Sequence, residues 1–135
     1  MYRKEFLTQQ RNRDLHQVFV NVISELDVIN LNDAIEKTVN SPAKRFYIVS
    51  DRAYGVLIRW HKYGITKLIT PLRQEMFEEI YRRVLTLQVV YPDIPLMYLA
   101  EMAIEQPAPK FYLEISSAKT ILCKYKSKRS QPLFR

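Results

Sequence analysis

Two stretches decide how this chain folds: SPAKRFYIVSDRAYGVLIRW at 41–60 and QPAPKFYLEISSAKTILCKY at 106–125. They align without a gap at an offset of 65 positions. Pro42, Ala43, Phe46, Tyr47, Ala53 and Leu57 recur identically as Pro107, Ala108, Phe111, Tyr112, Ala118 and Leu122. Arg45, Val56, Arg59 and Trp60 recur conservatively as Lys110, Ile121, Lys124 and Tyr125. Such self-similarity at a fixed period marks an internal repeat. Upstream, Leu31 and Glu36 recur as Leu96 and Glu101, which extends the units to about 12–62 and 77–127.

Each unit reads as three helices. In the first, Leu15, Val18, Phe19, Val22, Ile23 and Leu26 fall at the spacing of one apolar helical stripe. Phe77, Ile80, Tyr81, Val84 and Leu87 repeat it. Thr70-Pro71 opens the second copy, because Thr caps a helix and Pro suits its first position. Short second helices are expected at about 31–40, capped by Asn30, and at about 96–105. Pro42 and Pro107 stop them, since the residue before a proline avoids helical backbone. The third helices are expected at about 51–62 and 116–127, with Ser50 and Ser116 as candidate caps. Ala53, Val56, Leu57 and Trp60 form the apolar face of one, and Ala118, Ile121, Leu122 and Tyr125 that of the other.

The PA-x-[KR]-FY connector between second and third helices has strand-like residues. It reads as a short extended or β segment, and two such segments related by a twofold could pair. A unit of 65 residues buries too little surface to stand alone. The expected fold is therefore all-α: two tandem three-helix units packed into one domain over 1–135, with a flexible tail from about 128. The connector spans about ten residues, longer than the three or four of a helix-turn-helix, which puts that label in doubt.

Charge is segregated along the repeat. Residues 1–40 carry a net −1, 41–73 a net +6, 74–105 a net −4 and 106–135 a net +6. The overall surplus of +7 thus sits in the connector and third helix of each unit. Clustered Lys and Arg along one element are an electrostatic footprint for phosphates. The residues expected to contact nucleic acid, with DNA favoured over RNA, are Lys44, Arg52, Arg59, Lys62, Lys119, Lys124, Lys128 and Arg129. Gly55 and Thr120 lie on the same face and would allow either a close partner or a tight helix crossing. The competing reading spends the positive charge on the chain's own acidic helices, on an acidic protein partner, or on a second copy in a homodimer.

Other side chains read as structural. Phe46, Phe111, Trp60 and Tyr125 are expected in the core, with Tyr47 and Tyr112 at its rim, hydroxyls in water. Glu36 with Arg45, and Glu101 with Lys110, read as ion pairs tying the second helix to the connector. No Cys-x-x-Cys, His-x-x-x-His, Gly-rich phosphate loop or nucleophile motif occurs, so no enzyme activity, metal or cofactor is expected. Cys123 aligns with Ile58 and reads as a small apolar residue. Without a signal-peptide pattern or a membrane-length apolar run, a cytoplasmic location and no membrane partner are expected.

Overall fold

A computed structural model describes residues 2–25, 30–68 and 70–133, with side chains for 4–25, 30–68 and 70–125. The described residues form α1 (Tyr2–Glu25), α2 (Leu31–Val39), α3 (Ser50–Tyr63), α4 (Pro71–Val90), α5 (Leu96–Ile104) and α6 (Ile115–Leu133). The chain is all-α. Expected elements falling on Leu26, and the side chains of Lys128 and Arg129, lie outside the described residues, as does the end of the expected flexible tail.

Local chemistry explains several of the helix ends. The Asn30 side chain accepts hydrogen bonds from the Asn32 and Asp33 amides at 3.0 and 3.3 Å and starts α2. The Thr70 hydroxyl accepts from the Arg73 amide at 3.3 Å, with Pro71 at the first position of α4. At the end of α3, Gly64 takes φ 88°, a conformation that a side chain resists, while its amide donates to the Trp60 carbonyl at 2.8 Å. The third helices begin differently from expectation. Val49 is the N-cap of α3 and offers no side-chain bond, so Ser50 is already helical. Ile115 begins α6, which puts Ser116 inside the helix rather than at its cap, and α6 continues to Leu133.

Packing differs from two self-contained units in one respect. Helices α1 and α2 pack with α6, whereas α4 and α5 pack with α3. Each three-helix bundle thus takes its third helix from the other half of the sequence. The connectors make this exchange geometrically feasible. Residues 40–49, fully extended, span at most about 35 Å, enough to carry α3 across the molecule. The two connectors cross antiparallel, and Ala43 and Ala108 exchange both backbone hydrogen bonds at 2.9 Å. Phe46 N donates to the Ile104 carbonyl and Phe111 N to the Val39 carbonyl, each at 2.9 Å. These contacts recur at positions 65 apart. The expected extended segment is therefore a single isolated bridge, and the described residues contain no regular strand.

The crossing is also where the aromatic side chains meet. Phe46 stacks on Tyr112 and Tyr47 on Phe111, both with centroids 5.9 Å apart. Phe46 and Phe111 are buried, and one apolar cluster runs from Leu15 and Ile35 through both phenylalanines to Leu57, Ile80 and Leu99. Such aromatic pairs add about 0.5–1.5 kcal/mol each beyond the area they bury. At nine residues each, α2 and α5 are too short to persist alone. Their buried faces, Ala34, Ile35 and Val39 or Leu99, Ala100 and Ala103, hold them in place.

Candidate nucleic-acid interface

The apolar face of α3 fixes where its charges go. With Ala53, Val56, Leu57 and Trp60 buried against α4 and α5, residues 52, 55 and 59 turn toward the surface. Arg52, Gly55 and Arg59 line an open groove of about 630 Å³ completed by Val56, Leu68 of the linker, and Arg73 and Phe77 of α4. Three arginines from two helices thus surround an apolar floor, and among the described residues no carboxylate lines it. Gly55 is part of this floor, and a Cβ added there would meet nothing within 4 Å. It is open to the groove and does not serve a tight helix crossing.

Arg73 packs over an aromatic ring. Its guanidinium lies 5.5 Å from the centre of the Phe77 ring, a cation–π distance. Burial, with Arg52 alongside, holds its pKa below the ordinary arginine value. Among the described residues, no carboxylate is ion-paired with Arg52, Arg59 or Arg73.

Three acidic side chains are ion-paired elsewhere. Glu79 binds Arg82 and Arg83 on its own helix, the latter at 2.9 Å, and Glu75 binds Lys110 at 2.7 Å. Asp14, buried in α1, accepts the Tyr47 hydroxyl at 2.6 Å and lies 3.8 Å from Lys44. Neither expected ion pair forms among the described residues. Arg45 donates to the Phe46 carbonyl at 3.1 Å instead of meeting Glu36, and Lys110 chooses Glu75 over Glu101. The exchange of third helices brings the connector onto α4, which is why Glu75 becomes the nearer acid. The Tyr47 hydroxyl is likewise hydrogen-bonded rather than in water.

The expected contact residues therefore separate. Arg52 and Arg59 share the groove, and Lys62 is exposed in the last turn of α3, next to Tyr63, which is 77% exposed. Lys44 sits on the first connector beside Asp14. Lys119 and Lys124 are exposed on α6, which packs in the other bundle. Ser117 and Thr120 stand there where α3 has Arg52 and Gly55, and Thr120 donates to the Ser116 carbonyl at 3.1 Å. Sequence reasoning missed Arg73, because it belongs to the next helix in the chain. Its place in the basic block 41–73, in the first turn after the linker, was the available signal.

Among the described residues no group of three or more His, Cys, Asp and Glu side chains is placed to hold a metal ion, and no helix is long and apolar enough to cross a membrane. Cys123 is exposed rather than filling an apolar position. Comparison with protein-family models, with curated proteins and with solved structures finds no match to this chain.

Proposed function

We propose that this chain is a small non-enzymatic nucleic-acid-binding protein, with DNA favoured, and that the α3–α4 groove holds the phosphate backbone. In this reading the two bundles are an internal duplication of one unit, and the surplus positive charge belongs to the ligand rather than to the chain's own acids. One observation carries the proposal: Arg52, Arg59 and Arg73 converge on one groove, and among the described residues no carboxylate lines it. Gly55 supports it, since the open space above its Cα lets a sugar-phosphate chain approach the helix closely.

Three phosphates neutralised by three arginines correspond to a salt slope, log Kobs against log[salt], of about −2.7 on duplex DNA. Fluorescence anisotropy with random duplex, single-stranded DNA and RNA across a salt series measures it. Arg52→Ala and Arg59→Ala should each flatten the slope by about 0.9. Absence of binding to every probe at about 50 mM salt would sink the proposal, given how strongly low salt favours phosphate contacts.

A second reading has its own observation. Val89, Val90, Met97 and Tyr98 are all exposed around the α4–α5 turn, Val89 at 83%. Exposed apolar side chains gathered in one place suit a protein partner or a second copy of the chain. Sedimentation of the wild type beside Val89→Lys tests this: a concentration-dependent dimer abolished by Val89→Lys would favour it.

A further inference from the structure

Where the connectors cross, a second, smaller cavity of about 150 Å³ lies among the stacked aromatic rings. Arg11 of α1, Arg45 of the first connector, Arg73 of α4 and Lys110 of the second connector all line it. The remaining lining is aromatic or aliphatic, and among the described residues no carboxylate is part of it. Four cations from four segments thus face a space too small for a nucleoside and large enough for one tetrahedral oxyanion.

The partners of these cations leave charge to spare. Lys110 has Glu75 at 2.7 Å. Among the described residues, Arg11 bonds the neutral Asn12 side chain, at 3.0 and 3.2 Å, and Arg45 a backbone carbonyl. Among the described residues no carboxylate is ion-paired with Arg11, Arg45 or Arg73. Gathering like charges in a partly buried space is unfavourable unless an anion joins them. Burial also holds Arg11 below the ordinary arginine pKa, which an anion would reverse. The backbone adds an independent sign. Tyr112, in the cavity wall, takes φ 57°, the one non-glycine residue in the left-handed region among those described. Backbone strain of this kind gathers at ligand clamps and other functional sites.

We infer that the connector crossing is a binding site for a single phosphate group in its dianionic form. Arg11, Arg45 and Lys110 grip its oxygens, and Arg73 joins the site to the α3–α4 groove, whose lining it also shares. The chemistry serves two sources, free inorganic phosphate or the terminal phosphate of a nucleic-acid strand. The second rests on the nucleic-acid reading above, and the first does not.

The test begins with wild-type protein and inorganic phosphate alone, titrated by calorimetry at constant ionic strength, with chloride as the control anion. One saturable site with a Kd of about 1 mM or tighter is expected. Arg45→Gln should weaken it at least about tenfold, because a charge-assisted bond is lost. Arg59→Gln, which touches only the groove, should leave it within about twofold. No saturation in the wild type, or equal loss in both variants, overturns the site whatever nucleic acid does. A second arm compares 5′-phosphorylated with 5′-hydroxyl strands. A preference for the phosphorylated end that Arg45→Gln removes assigns the site to strand ends. Equal affinity for both ends, with phosphate still bound, assigns it to the free anion.

Discussion

The bundle α3–α4–α5 and the bundle α1–α2–α6 each gather three helices and differ at the surface. Their buried positions match: Ala53 and Ala118, Leu57 and Leu122, Phe46 and Phe111 are all buried. Their outer positions diverge. Where the first bundle has Arg52, Gly55, Arg73 and Phe77 around a groove, the corresponding residues are Ser117, Thr120, Thr8 and Asn12. Even the aromatic anchors differ. Trp60 is buried edge-on against Phe77 and Tyr81, whereas Tyr125 is half-buried and stacks on His16 at 4.5 Å. Among the described residues, the charge that looks duplicated in sequence gathers around this groove on the first bundle, where Arg52, Arg59 and Arg73 meet.

The comparison breaks most drastically if the chain is divided. Residues 1–66 and 67–135 expressed separately should each fail to fold as a monomer, because each lacks the third helix its bundle needs. Mixed, they should regain the helical circular dichroism of the intact chain. Independent folding of either half as a monomer would contradict the exchange.

The next test weighs the anchors. Trp60→Ala should destabilise by about 3–5 kcal/mol, the range for a fully buried aromatic. Tyr125→Ala, half-exposed, should cost clearly less, and urea denaturation of the two variants compares them.

Smaller effects separate the two connector tyrosines. Tyr47→Phe leaves the buried Asp14 carboxylate without its hydroxyl donor and should cost about 1–3 kcal/mol. Burial and the Asp14 bond raise the Tyr47 pKa well above its ordinary value of 10.0. The folded state therefore keeps this proton where the unfolded chain loses it. Stability from this source is complete below about pH 10 and declines as pH rises beyond it. Thermal melts between pH 9 and pH 11 should show that decline, and Tyr47→Phe should flatten it. Burial, then Glu75, raises Tyr112 too, so some slope should remain in the variant.

The smallest effect is at Gly55. Since an added methyl meets nothing, Gly55→Ala should stabilise α3 by up to about 1 kcal/mol through helix propensity alone. If it also weakens nucleic-acid binding, close backbone approach is part of the interface. Unchanged affinity would limit Gly55 to shaping the groove.

What was legible in the sequence was local. The apolar stripes marked the helices, the Asn30 and Thr70 caps marked where two of them start, and Pro42 and Pro107 marked where two end, because each depends on neighbours within a turn. The exchange of third helices was not legible. The face of Ala53, Val56, Leu57 and Trp60 says that α3 must be buried, and nothing in its spacing says against which helices. The ion pairs failed for the same reason: Lys110 meets Glu75 only because the connectors cross. Of the groove, Arg52, Gly55 and Arg59 were readable as one helix face, while Arg73 and Phe77 required knowing that α4 lies beside α3.

The crossed connectors also dictate an order of assembly during synthesis. When α3 leaves the ribosome, the helices that will cover Val56, Leu57 and Trp60 have not been made. At about 5–20 residues per second, α3 waits roughly 2–8 s for α4 and α5 to emerge. Its bundle can then close, while α1 and α2, made first, stay incomplete until α6 arrives. The earliest part of the chain is the last to find its final partner, and its apolar stripe is the surface most in need of protection in the interval.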